Sequence, residues 1–146
     1  MKYSRVTLAA VAVVTMTGAV LADLVVPPLA AQHAFNDNWP PHAKFHDAQY
    51  MVMTVLLGLI GLVLLRSGPN LRGRVLCAAA VLSTPWIGMI AALGFPGTAT
   101  YDPEFREETL FILGLHGQVA LAIILLVAVG GAVFGILRVD STARSR

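Results

Sequence analysis

The chain has 146 residues, 57% of them hydrophobic and only 12% charged, with a mean hydropathy of +0.75, which excludes both an ordinary soluble domain and an intrinsically disordered chain. Its one cysteine, Cys77, makes neither an internal disulfide nor a thiolate metal cluster, so zinc-finger and cysteine-stapled scaffolds are excluded. The net charge of +2 and pI near 9.0 arise from basic residues scattered over short connectors, with no continuous patch for nucleic acid.

A helix rising 1.5 Å per residue needs about 20 apolar residues to cross a hydrocarbon core roughly 30 Å thick. Four stretches meet or approach that length: Val6–Val26, interrupted by Asp23, then Ala48–Leu65, Val75–Gly97 and Leu110–Leu137. The pattern predicts an all-α integral membrane four-helix bundle, a single membrane domain over 1–146 with outer connectors 27–47 and 98–109. Lys2, Arg5 and the apolar run ahead of Val20-Leu21-Ala22 also match a signal peptide cleaved before Asp23. The apolar Leu24-Val25-Val26 beyond the acid gives a spanning length instead.

Punctuation follows the same scheme. Pro27-Pro28 ends the first span, Trp39-Pro40-Pro41 precedes the second, Ser67-Gly68-Pro69-Asn70 turns into the third, and Pro96-Gly97 closes it. Pro85 predicts a kink in the third span, with Ser83 or Thr84 acting on the carbonyl it frees, and Trp86 beside it is a candidate pocket wall. Gly131-x-x-x-Gly135, with Gly58, Gly61 and Gly88, offers small surfaces for close helix approach.

Positive residues resist translocation, so their placement sets orientation. Lys2, Arg5, Arg66, Arg72, Arg74, Arg138, Arg144 and Arg146 are eight of the ten, and all fall on one side of the map. Lys44 and Arg106 fall on the other, beside seven of the eight acids: Asp23, Asp37, Asp47, Asp102, Glu104, Glu107 and Glu108. Both termini are therefore expected in the cytoplasm, with the chain in the cell membrane.

All four histidines, His33, His42, His46 and His116, fall on or near the outer side. On a helix opened by Pro41, His42, His46, Gln49 and Met53 share one stripe. Imidazoles one turn apart suit a divalent metal ion, with Asp47 or the acid-rich loop Tyr101–Glu108 supplying oxygen, while Ala43 stands where a zinc protease needs glutamate. The plainer reading makes the two histidines interfacial residues. His116 is expected about two turns inside the fourth span, where an ionisable group marks a site or bonds across helices as packing glue. Asp23 is its expected partner, holding one imidazole nitrogen so that the other acts as base, acid or ligand. Gln118 is expected to point elsewhere. Trp39, Phe45, Tyr50, Tyr101 and Phe105 form either an interfacial belt or the mouth of a pocket, and the acids before the fourth helix suit its dipole.

The block Asn36-Asp37-Asn38-Trp39-Pro40-Pro41-His42-Ala43-Lys44-Phe45-His46-Asp47 resembles the signature of a small uncharacterised family of four-helix membrane proteins of bacteria and fungi. That resemblance implies membrane topology over the whole chain and marks the block as a site without naming a reaction. In size and helix count the chain is also similar to the anthrone-oxygenase-like and sterol-isomerase-like groups, but none of their catalytic motifs is matched.

Three functions remain open. One is an enzyme acting on a lipophilic small molecule through His116, Asp23, His42 and His46. The second is a divalent-metal-binding or transport accessory using His42, His46 and Asp47. The third is a non-catalytic membrane subunit, with a homo-oligomer open in each case and the bilayer as the common partner. A reporter fused to the carboxyl terminus is expected to be active in the cytoplasm, and activity on the far side would invert the topology.

Overall fold

The computed structural model describes the backbone of residues 1–144 and the side chains of residues 1–138; the side chains of Arg144 and Arg146, counted with the inner charges, lie outside the described residues. The elements are α1 (Lys2–Val20), continued by a π-turn (Leu21–Val25), the short α2 (Pro27–Ala30), α3 (Pro41–Leu64), α4 (Leu71–Ala92), a 3-10 turn (Pro103–Phe105), a two-stranded hairpin of β1 (Phe111–Ile112) and β2 (Leu115–His116), and α5 (Gly117–Arg144). Four segments, Lys2–Val25, Pro41–Leu64, Leu71–Ala92 and Gly117–Arg138, are long and apolar enough to cross a membrane.

Helix α1 touches α3, α4 and α5, and α4 packs between α3 and α5. Helical spacing explains which residues meet. Ser4, Leu8, Val11, Ala12 and Thr15 bury one stripe of α1, and Met51, Thr54, Gly58 and Gly61 bury one stripe of α3. The core also takes Val75, Leu82 and Trp86 from α4, with Ala122, Leu125, Val129 and Ile136 from α5. Outward, Val13, Val52, Leu56, Ile60, Ile87, Ile124 and Val127 are exposed, an apolar exterior suited to lipid.

At one end the cationic residues tie the helices together. The Arg5 guanidinium donates to the Leu65 carbonyl at 2.7 and 3.0 Å, and Arg74 donates to the Val63 carbonyl at 2.8 Å. Both satisfy carbonyls at the end of α3 that have no intrahelical donor and favour positive charge.

Several local expectations change. The second helix begins at Pro41, a full turn and more before Ala48. The fourth begins at Gly117, because Phe111–His116 turns back on itself as a hairpin with Phe111 opposite His116 and Ile112 opposite Leu115. Its two-residue loop, Leu113-Gly114, has φ of 51° and 80°, the left-handed pair that a right-twisted hairpin requires. The acids before α5 consequently stand away from its first turn. Helix α4 runs through Pro85, and Ser83 and Thr84 donate to Ala79 and Ala80, leaving the carbonyl of Val81 to lose its proline-side donor.

Close approach uses Gly58 and Gly61 rather than Gly131. A Cβ on Gly58 would run into the Met16 side chain and lie 2.8 Å from the Ala12 carbonyl, and one on Gly61 would lie 2.7 Å from Leu82, whereas one on Gly131 meets nothing within 4 Å among the described residues. Gly58→Ala is expected to destabilise the bundle by about 1–3 kcal/mol through overpacking. Gly131→Ala is expected to be neutral or stabilising by up to ~1 kcal/mol. Thermal unfolding in detergent checks both.

Candidate functional site

The site forms where α1 ends. Its last turn widens to a π-turn, closed by Val26 N–H donating to Leu21 at 2.8 Å, and Asp23 lies inside it at 5% exposure. Pro27-Pro28 then starts α2 from an extended Val26, so the chain reverses, and Ala34 N–H returns to the Asp23 carbonyl at 3.2 Å. This reversal carries His33 onto Asp23, with Nδ1 3.5 Å from the Asp23 Oδ1. The same Nδ1 donates to the Leu29 carbonyl at 2.8 Å in the tautomer that leaves the lone pair on Nε2. Trp39 meets the imidazole edge to face, with centroids 5.6 Å apart.

Two cavities meet here. A bundle cavity of about 240 Å³ is lined by Asp23, His33, Asp47, Tyr50, Trp86 and Met89, with the small Gly18, Ala19 and Ala22 leaving the space open. A loop cavity of about 360 Å³ lies under the hairpin, with Trp39, Tyr101, Leu110 and His116 among its walls. Ala22, His33, Gln118 and Leu121 belong to both. Asp47 shares the bundle cavity with Asp23, and among the described residues Asp23 Oδ1, the oxygen that His33 approaches, and Asp47 Oδ2 are buried without a hydrogen bond. Trp86 is fixed by Nε1–H donating to Thr15 Oγ1 at 3.1 Å.

The residues singled out from the sequence separate into groups. His42 and His46 form an exposed pair on the first turns of α3, with their Nε2 atoms 3.1 Å apart, and His46 Nδ1 lies 3.2 Å from Gln49 Oε1. Asp47, one residue later, is rotated by about 100° and turns into the bundle, so it cannot join them as a ligand. Among the described residues no group of three or more His, Cys, Asp or Glu side chains is arranged to hold a metal ion, so the metal reading of His42, His46 and Asp47 is unsupported. Asp23 takes its imidazole from His33, not His116, because the Pro27-Pro28 reversal brings the nearer histidine back.

His116 lies on β2, just before the fourth helix instead of inside it. Its Nδ1 accepts the Gln118 backbone N–H at 3.3 Å, so it caps α5, and the two residues share the loop cavity against expectation. Of the aromatic group, Trp39 and Tyr101 line the loop cavity and Tyr50 the bundle cavity, whereas Phe45 and Phe105 line neither. His33 was the residue that spacing alone passed over. The available signal was a Pro-Pro reversal between an intraspan acid and a histidine ten residues later.

A helical bundle with an apolar exterior and a buried carboxylate–imidazole pair between two cavities defines the class. The chain belongs to a family of unknown function, DUF6640, whose model matches residues 7–141. No curated protein and no solved structure matches it.

Burial, followed by the nearby His33, holds the His116 imidazole below its ordinary value of 6.5. The unfolded chain then binds the proton more readily, so stability contributed by neutral His116 is present at neutral pH and is lost as pH falls from about 6.5 toward the lowered folded value. Melting temperature measured against pH is expected to fall across that window, and less steeply in His116→Gln.

Proposed function

We propose that this chain is a multi-pass protein of the cell membrane, both termini cytoplasmic, that transfers protons on an unsaturated lipophilic small molecule at the outer face. His33 is the acid–base group and Asp23 is its charge partner. The observation that carries this reading is the 3.5 Å approach of a buried carboxylate to His33 Nδ1 at the wall common to two cavities. With Nδ1–H held by Leu29, Nε2 is the nitrogen available to take a proton. Asp23 stabilises the imidazolium that results.

The chemistry balances without a redox partner. A C–H bond next to a carbonyl or alkene breaks, its electron pair enters the π system, and Nε2 takes the proton. The same nitrogen returns a proton to another carbon, giving an isomer. A group of this kind contributes on the order of 10²–10⁴ in rate. Trp39, Tyr101 and Leu110 supply apolar walls for the substrate. The His42–His46 pair lies outside both linings and has no role in this reading.

The test is deuterium transfer. Purified protein is incubated in D2O with a lipid extract of cells that express it, and apolar products are read by mass spectrometry. Carbon-bound deuterium is expected with the native chain, with a loss of about 10²-fold or more in His33→Ala, and a smaller loss in Asp23→Asn. No incorporation by the native chain, or a loss caused by His42→Ala with His46→Ala while His33→Ala retains it, would overturn the assignment.

A further inference from the structure

We infer that the bundle cavity receives the ammonium head of a lipophilic amine, held by Asp23 and Asp47, with the apolar body against Trp86, Met89 and Leu121. This deepens the preceding reading and rests on it only for the claim that the bound molecule is also the one acted upon.

Asp47 Oδ2 and Asp23 Oδ1 are buried without a hydrogen bond among the described residues, His33 Nδ1 standing 3.5 Å from Asp23 Oδ1 with its hydrogen given to the Leu29 carbonyl, and Asp23 is 95% buried. Such orphans are costly and call for an occupant. Among the described residues the imidazole of His33 is the basic group acting on both carboxyl groups, so two acids have one imidazole to share. The site therefore lacks both donors and positive charge.

That deficit selects among head groups. A phosphate or carboxylate would be repelled. A hydroxyl brings one donor for two oxygens and no charge. A primary ammonium brings three donors and a full positive charge, and an alkylamine stays protonated near neutrality because its pKa is close to the ~10.4 of lysine. Tyr50 and Trp86 stand in the same wall, and aromatic faces favour cations. The cavity, at about 240 Å³, takes a small amine whose apolar body continues along Leu121 and Gln118 toward the loop cavity.

Isothermal titration of the purified full chain in a neutral detergent with 4-phenylbutylamine and its uncharged counterpart 4-phenylbutan-1-ol tests this. The amine is expected to bind at least tenfold more tightly than the alcohol. Asp47→Asn, of the same size without the charge, is expected to remove most of that preference without lowering the melting temperature, and Asp23→Asn is read in the same way as a second variant. Equal affinity for amine and alcohol, or a preference that survives both substitutions, overturns the site. Displacement of the amine by dihexanoyl-phosphatidylethanolamine identifies a lipid headgroup as the source of the ammonium, and no displacement identifies a free amine; both keep the site. Amine preference without deuterium transfer in the native chain removes the catalytic reading alone, and deuterium transfer without amine preference removes this inference alone.

Discussion

Asp23 ends an otherwise apolar helix, and a carboxylate removed from water must be met by other groups of the protein. Leaving it unpaired would cost several kcal/mol. The chain meets it with its own next residues: the π-turn sets Asp23 inward, Pro27-Pro28 reverses the backbone, and His33 arrives 3.5 Å away while Ala34 closes the loop. The first connector is thus folded into the bundle end. Gln32 and Asn36, polar and buried, follow from the same arrangement, with Asn36 Nδ2 donating to Gln32 at 3.3 Å and its Oδ1 accepting from Asn38 at 2.8 Å.

The compensation is incomplete, and the shortfall has chemical meaning. Imidazole supplies charge, but neither Asp23 Oδ1, which it approaches at 3.5 Å, nor Asp47 Oδ2 is hydrogen-bonded among the described residues. A small-residue face on α1, Gly18, Ala19 and Ala22, leaves space beside them where larger side chains would close the packing. Below that level α1 packs tightly, with Met16 filling the gap made by Gly58. Tight packing at one level and open space at the next leave a largely apolar pocket that holds the two carboxyl groups and the imidazole.

The opposite end obeys a different rule. Arg5 and Arg74 sit where positive charge was expected to fix orientation, and each also serves as a tertiary tie to the last carbonyls of α3. One residue type thereby carries two constraints. On the other side, Asn38 reaches Glu104 at 3.4 Å and so joins the two outer connectors, while Arg106 donates to Tyr101 at 3.1 Å within the second of them.

The long helices were legible because apolar length and charge placement are properties of contiguous residues: α1, α3, α4 and α5 all occur close to where hydropathy puts them. The stripe His42–His46–Gln49 was legible too, since helix periodicity sets it, but periodicity does not say which stripe faces inward, and here the exposed one carries the histidines while Asp47 and Met51 turn to the core. Likewise Asp23 was visible as an ionisable group in an apolar run, and its partner was not. Sequence by itself determined the four apolar helices, the uneven charge and the list of polar candidates, because each depends on composition over a short window. Only the tertiary structure decided that His33 rather than His116 meets Asp23, that Asp47 leaves the histidine pair to join it, and that space remains between them, because those outcomes depend on how a proline-forced reversal and four packed helices share one volume.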